Sequence, residues 1–251
     1  MNSSSKAGAF AALHVAGDPF VLYNIWDAGS ARAVAAAGAN AIATGSASVA
    51  AANGLDDGEA VPLDLALDNA RRIVAAVELP VTIDFEGGYA VEPEAVTRNL
   101  ARLAETGAIG CNFEDQVVGG EGLHPIAEQA RRVAAVAESG LFVNARTDLF
   151  LKPLFAGGDP NDRNLLGEAL ERAAAYKEAG AESFFVPLLA DLKLLERVCA
   201  HSPLPVNFMA FPGCPSNAEV ATAGVARISH GPFPHRALMK QLEESAREAL
   251  A

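Results

Sequence analysis

The sequence predicts a (β/α)8 barrel, and three observations carry that reading. About eight short β-forming segments alternate with about eight helical ones over 251 residues, a length that suits one such barrel. A phrase recurs at four helix-to-strand joints: Ala37-Gly38-Ala39, Thr106-Gly107-Ala108, Ala179-Gly180-Ala181 and Ala223-Gly224-Val225. Each reads as a helix closed by a left-handed glycine cap just before an apolar strand, and repeated joints of this kind belong to parallel sheets with crossover helices. An open doubly wound sheet is the runner-up, but no G-x-G-x-x-G fingerprint follows the first strand.

The elements can be taken in order. The apolar run over 7–16 contains His14 and leads into Gly17-Asp18-Pro19, a poor cleavage site, so a short helix before the barrel is expected rather than an export signal. Residues 20–25 read as the first strand, with Ser30 as N-cap of a helix over 31–37. A second strand covers 41–44, and a loose segment with Asn53-Gly54 and Asp56-Asp57-Gly58 turn signals follows it. The apolar spacing Leu63, Leu67, Ala70, Ile73, Val74, Val77 predicts a helix over 63–77. Pro80 opens the third strand, whose β-formers Val81, Thr82 and Ile83 lead to Asp84, Phe85 and Glu86 and then to Gly87-Gly88. Helices then follow over 93–106, 126–139, 165–179, 192–200 and 217–223, alternating with strands over 110–113, 141–145, 183–186, 205–208 and 225–229. A long loop precedes 165, and a last helix covers 235–249. Nothing reads as an interdomain linker, so residues 1–251 form one barrel domain with a short N-terminal helical extension.

Composition narrows the class. Apolar residues make up 51% of the chain, enough for a sizeable core, but only 6% are aromatic, so alanine-rich helices must pack it closely. A net charge of −12 argues against nucleic acid and anionic membrane as partners, and no apolar run reaches transmembrane length. The three cysteines, Cys111, Cys199 and Cys214, show no C-x-x-C spacing, which predicts reduced thiols and a cytoplasmic location.

In a parallel barrel the functional groups gather at the C-terminal ends of the strands. Those ends supply Asp27, Gly45, Ser46, Asp84, Glu86, Glu114, Asp115, Arg146, Asp148, Asn207 and His230. Asp84 and Glu86 stand two residues apart and so share a strand face. An acid cluster without histidine or cysteine selects a hard ion, Mg2+ or Mn2+, over zinc; an acidic strand end that points into water is the alternative. Arg146 reads as a two-pronged clamp on a substrate carboxylate or as an internal partner of Glu114 or Asp148. Glu121 reads as a solvated loop acid, His124 as a capping or surface residue, and Cys111 as a buried core thiol.

Five motifs occur in register along these ends: Gly45-Ser46, Asp57-Gly58, Asp84-x-Glu86-x-Gly88-Tyr89, Glu114-Asp115-Gln116 and Asn144-Ala145-Arg146-Thr147-Asp148. From about 21 to 230 the chain thereby resembles the isocitrate lyase/phosphoenolpyruvate mutase superfamily. The resemblance implies a barrel whose last helix is exchanged between subunits, hence a homo-oligomer, dimer or tetramer. It implies Mg2+ (or Mn2+) at Asp84, Glu86 and Glu114. It implies substrate contacts from Gly45, Ser46, Asp84, Arg146 and Asn207, and catalytic roles for Asp57, Arg146 and Glu114.

Departures from the family pattern narrow the activity. The loop over 117–123 has neither cysteine nor lysine where the lyases carry their catalytic cysteine. Leu188 follows Pro187 where the lyases place a glutamate, and Ala43 stands where the mutases place a tryptophan. What remains suits a Mg2+-dependent lyase or hydrolase of a small α-keto or 2-hydroxy acid, acting through a pyruvate-type enolate, in the manner of an oxaloacetate decarboxylase or a phosphonopyruvate hydrolase. Two alternatives stand beside it. One is a carbon–carbon lyase of the methylisocitrate or dimethylmalate type with an acid other than cysteine. The other is a metabolite-binding barrel without catalysis. The expected partner is a small carboxylic acid, not a nucleic acid or a membrane.

Overall fold

β-Forming runs produce the eight strands of the computed structural model, which describes residues 3–155 and 157–251. They are β1 (Phe20–Leu22), β2 (Ile42–Ala43), β3 (Val81–Asp84), β4 (Gly110–Glu114), β5 (Phe142–Arg146), β6 (Ser183–Val186), β7 (Val206–Met209) and β8 (Arg227–Ser229). All pair in parallel, in the order β1-β8-β7-β6-β5-β4-β3-β2. A parallel bridge between Ile25 and Thr44 joins the two ends of that row. Ile25 N–H donates to Ala43 O at 2.8 Å and Gly45 N–H to Ile25 O at 3.1 Å. The predicted (β/α)8 barrel is therefore the fold.

The helices are α1 (Ser3–Ala12), α2 (Ala28–Ala36), α3 (Ser46–Ala52), α4 (Leu63–Ala76), α5 (Pro93–Ala104), α6 (Ile126–Ala137), α7 (Lys152–Phe155), α8 (Leu166–Glu178), α9 (Leu192–His201), α10 (Asn217–Thr222) and α11 (Phe233–Leu250). The longer outer helices α4, α5, α6, α8 and α9 each bury a stripe of residues. In α5 the stripe is Val96, Leu100 and Leu103, spaced to share one face; each such side chain stabilises the fold by roughly 1.5–3 kcal/mol. The four glycine joints hold as predicted, with φ of +93° at Gly38, +88° at Gly107, +101° at Gly180 and +96° at Gly224.

Three local expectations change. Ser30 is not the N-cap of α2: Asp27 is, accepting Ser30 N–H at 2.7 Å, while the Ser30 hydroxyl accepts Asp27 N–H at 3.1 Å. The longer-range acceptor starts the helix a turn earlier and Ser30 closes a capping box. The segment after β2 begins with a helix, Ser46 to Ala52 (α3), with Gly45 as N-cap, and is loose, as expected, only from Asn53 onward. The long loop after β5 contains α7 and a 3-10 turn at Arg163–Leu165.

The N-terminal extension plugs the bottom of the barrel. Phe10, fully buried, packs edge-on against Phe142 at 5.0 Å and Phe20 at 5.8 Å. His14 stacks on Phe142 at 4.7 Å. Its Nδ1 lies 3.1 Å from Phe10 O, an atom that can only accept, so Nδ1 carries the proton. At the opposite pole of the chain, residues 236–251 of α11 and its end are all exposed, including Leu238 and Leu242. Among the described residues no helix is long and apolar enough to cross a membrane.

The plug makes stability pH-dependent. Burial, then the nearby Arg227 charge, push the His14 pKa down to about 3. The unfolded chain therefore binds a proton below its ordinary value near 6.5 that the folded chain refuses, and stability falls as pH drops from there toward 3. We expect about 2 kcal/mol of this loss between pH 8 and pH 5. Urea denaturation at both pH values should show that loss reduced by that amount in His14→Leu.

Candidate active site

At the C-terminal ends of the strands lies a cavity of about 300 Å3. One side is polar, with Asn24, Ser46, Asp57, Asp84, Asn112 and Arg146; the other is apolar, with Leu151, Leu154, Phe185, Leu188 and Phe233. No cysteine, lysine or histidine lines it among the described residues.

Strand parity brings the central groups together. Glu114 and Arg146 are register partners on β4 and β5, and their side chains form an ion pair at 3.0 Å. Arg146 also meets Asp148 with two parallel bonds, Nε to Oδ1 at 2.6 Å and Nη2 to Oδ2 at 3.1 Å. Burial lowers the Arg146 pKa, but Asp148, Glu114 and Asp84 outweigh it and raise it well above the ordinary value. Arg146 is thus an internal ion-pair partner of Glu114 and Asp148 that also lines the cavity. Burial raises the Glu114 carboxyl well above the usual range; Arg146 opposes, and Asp148, Asp84 and Glu86 add to the rise.

Glu86 sits differently from Asp84. The backbone turns left-handed at Glu86 (φ +50°), and its Oε2 accepts N–H groups from Gly58 at 2.9 Å and Glu59 at 2.7 Å. Glu59 Oε1 in return accepts Tyr89 N–H at 2.7 Å. This clasp holds the loop that presents Asp57. Glu59 and Tyr89 also have positive φ, +61° and +57°, and such strain in non-glycine residues is characteristic of functional sites. Burial first, then Asp57 and Asp84, push the Glu86 carboxyl up to about 8. The Asp57 carboxyl is raised by loss of water and by Asp84, with the Ser46 hydroxyl and Arg146 opposing.

The backbone amides of the expected substrate contacts Gly45 and Ser46 are engaged within the protein. Gly45 N–H bonds Ile25 O, and Ser46 N–H donates to Asp84 Oδ2 at 3.0 Å. Asn207, expected to line the pocket, lies below its floor instead, fully buried and accepting the Ser229 hydroxyl at 3.0 Å. It faces inward beside Ser229, but its position along β7 is too deep. Glu121 is exposed and outside the cavity. His124 is not a surface residue: it is buried, its N–H donating to Asp115 O at 2.8 Å. His230 packs beside Tyr23 at 4.9 Å, outside the cavity.

The residues fit a hard divalent ion. Asp84 Oδ1 is buried with no protein hydrogen-bond partner, and of the two arginines that line the cavity among the described residues, Arg146 and Arg236, only Arg146 pairs with an acid of the cluster, which also holds Asp57, Glu86 and Asp84. Among the described residues no three acidic, histidine or cysteine side chains converge on one point. An ion here would take one or two carboxylates directly and water otherwise, which is the habit of Mg2+.

Comparison with known proteins now bears on the whole chain. Residues 10–250 match the family described as phosphoenolpyruvate phosphomutase. The chain belongs to that family. A candidate phosphonomutase from Burkholderia cenocepacia J2315 is 45% identical over 99% of this chain and 100% of its own, with a TM-score of 0.94. The 2-methylisocitrate lyase of Salmonella typhimurium is 29% identical over 97% of this chain and 84% of its own. A phosphonopyruvate hydrolase, seen with oxalate and Mg2+, shares the fold at 21% identity, covering 98% of this chain and 87% of its own, with a TM-score of 0.83. The family's members are lyases and mutases, and the chain is an enzyme of this class.

Asn24 and Asn112 are among the cavity residues that sequence reasoning missed. Asn24 ties three strand ends together: its Nδ2 donates to Thr44 O at 2.8 Å, and its Oδ1 accepts His230 N–H at 2.7 Å and Gly231 N–H at 2.9 Å. Asn112 lies on the cavity floor. Its signal was available, since it is a polar residue two positions before Glu114 and so shares its inward face.

Behind the site, Asp115 is fully buried and accepts from Arg172 Nη1 at 3.0 Å, Tyr176 Oη at 2.8 Å and Asp148 N–H at 2.9 Å. This network holds the backbone of Asp148, the partner of Arg146. Arg172→Met would leave a buried carboxylate without its cation, and we expect a loss of about 3–5 kcal/mol, read as a lowered urea midpoint at unchanged m-value.

Proposed function

We propose that this protein is a divalent-metal-dependent lyase or hydrolase of a small α-keto acid, breaking a bond at C3 of an oxaloacetate-like substrate to leave the enolate of pyruvate. The observation that carries this reading is the unpartnered, buried Asp84 Oδ1 beside Arg146, in a cavity that, among the described residues, no cysteine, lysine or histidine lines. Asp84 would hold Mg2+ (or Mn2+) directly, with Glu86 and Glu114 reaching it through water. When bound, the ion supplies Lewis-acid stabilisation of the developing enolate charge. Arg146, braced by Glu114 and Asp148, presents its cationic face to the substrate carboxylate. Ser46 positions the Asp57 carboxyl, a cavity acid that forms no ion pair among the described residues, and we assign Asp57 the proton transfer. The apolar wall of Leu151, Phe185 and Leu188 keeps water from the carbon skeleton.

A cleavage of the methylisocitrate type is less well supported. The loop that would bring an acid over the site is short and pinned, with Gln116 bridged to Leu123 and Val117 N–H bonded to Gly122 O at 3.2 Å.

We further propose that a second copy of the chain covers α11 and that the protein is a homo-oligomer with this helix exchanged. Free thiols at Cys111, Cys199 and Cys214 agree with action in the cytoplasm. The proposed partner is a small carboxylic acid, with no role for nucleic acid or membrane.

Pyruvate release from oxaloacetate, phosphonopyruvate and substituted malates with Mg2+ tests the reaction. Turnover should vanish with EDTA and fall at least 100-fold in Asp84→Ala; turnover that survives both removes the metal-enolate reading. For the assembly, light scattering should give a mass above that of one chain, and Leu242→Asp should shift it toward the monomer. A monodisperse 25.9 kDa species in the parent protein would refute the exchange.

A further inference from the structure

Arg227 on β8 is fully buried inside the barrel, and among the described residues no carboxylate pairs with it. Its Nη2 donates to Asn112 Oδ1 at 3.2 Å, while Nε and Nη1 face no protein acceptor. The Phe10 ring lies 5.9 Å from its Cζ. A guanidinium held this way works against folding, and an apolar side chain of similar volume would be tolerated as well or better. Packing alone therefore does not account for it.

Its consequence falls on Asn112, the register neighbour of Asp84 on the cavity floor. Asn112 Oδ1 also accepts Asn144 Nδ2 at 2.8 Å, and Asn144 Oδ1 accepts the Ser183 hydroxyl at 2.6 Å. A row of amides ending on a serine can be satisfied in either sense, because each amide can turn end for end and a hydroxyl both gives and takes a hydrogen bond. A guanidinium only gives. Arg227 therefore fixes the sense of the row. Asn112 Oδ1 must face Arg227, and Nδ2 is left to the cavity side, where no protein group bonds it.

We propose that Asn112 is a substrate-contacting residue whose Nδ2 donates to an oxygen of the bound keto acid, and that Arg227 is its positioning residue, acting from beneath the floor by setting the direction of the amide. This rests on the function proposed above and assigns one further determinant of that site. A carboxylate or enolate oxygen accepts the donor; a ligand group that can only donate is rejected.

Calorimetric titration with oxalate in the presence of Mg2+, beside oxaloacetate kinetics, tests it. Asn112→Ala should weaken oxalate at least 10-fold, and Asn112→Asp, which replaces the donor by an acceptor beside Asp84, at least 100-fold. Arg227→Met should weaken oxalate 3- to 10-fold and raise KM with kcat held within twofold, at a melting temperature no lower than the parent's. Arg227→Lys, also donor-only, should restore affinity to within threefold. The double variant N112A/R227M should bind no more than twofold weaker than N112A alone. If R227M does not fold, Arg227→Gln, which can accept as well as donate, takes its place with the same expectation. Unchanged oxalate affinity in N112A or in R227M (or in Arg227→Gln where it replaces R227M) overturns the proposal, as do losses that multiply in the double variant. A parent protein that binds no oxalate and turns over no keto acid overturns the proposed function itself, a result read before any variant is made.

Discussion

Arg146 is shared between Glu114 and Asp148, and the upper end of the barrel depends on that sharing. Acids from β3, β4 and the loops beyond them are brought into one region, where burial and mutual repulsion raise the proton affinities of Asp57, Glu86 and Glu114. One guanidinium, gripped from two sides, keeps the cluster from being purely repulsive. It does not neutralise it. In the function proposed above, the residual negative charge and the unbonded Asp84 oxygen would receive a divalent ion and, through it, an anionic substrate that the chain's overall charge would otherwise repel.

The surrounding structure serves to hold these charges in place. Arg172 and Tyr176 on α8 fix Asp115, which fixes the backbone of Asp148. Gln129 on α6 donates to Glu114 O at 2.8 Å, and Arg132 on the same helix donates to Gly87 O at 2.7 Å and Ala90 O at 3.0 Å, pinning the turn that follows β3. The glutamates of the clasp, Glu59 and Glu86, accept backbone N–H groups across a separation in sequence that no local signal announces. Helices that look like generic amphipathic packing thus carry, on their buried edges, the donors that fix the catalytic strand ends.

Much of this was legible in the chain. Alternation along β3 put Asp84 on an inward face, and the motif order placed Glu114 and Arg146 on adjoining strand ends. What could not be read was the competition for hydrogen bonds. Gly45 and Ser46 stand where expected, yet their amides are taken by Ile25 and Asp84. Asn207 has the right parity and the wrong height, because height depends on the tilt of strands in a closed barrel rather than on residue type. Asn112 carried a readable sign, a polar residue amid an apolar strand, but its importance appears only once Arg227 is seen beneath it.

By itself the sequence determined the barrel, the glycine-capped joints and the set of strand-end groups available for chemistry. These follow from local causes: the two-residue period of strands, the 3.6-residue period of helices and the steric freedom of glycine at positive φ. The tertiary structure decided which of those groups remain free to act. That choice rests on pairs far apart in the chain, Ser46 with Asp84 across 38 residues and Asn112 with Arg227 across 115, and a donor or acceptor is free only when every distant competitor for it has been placed.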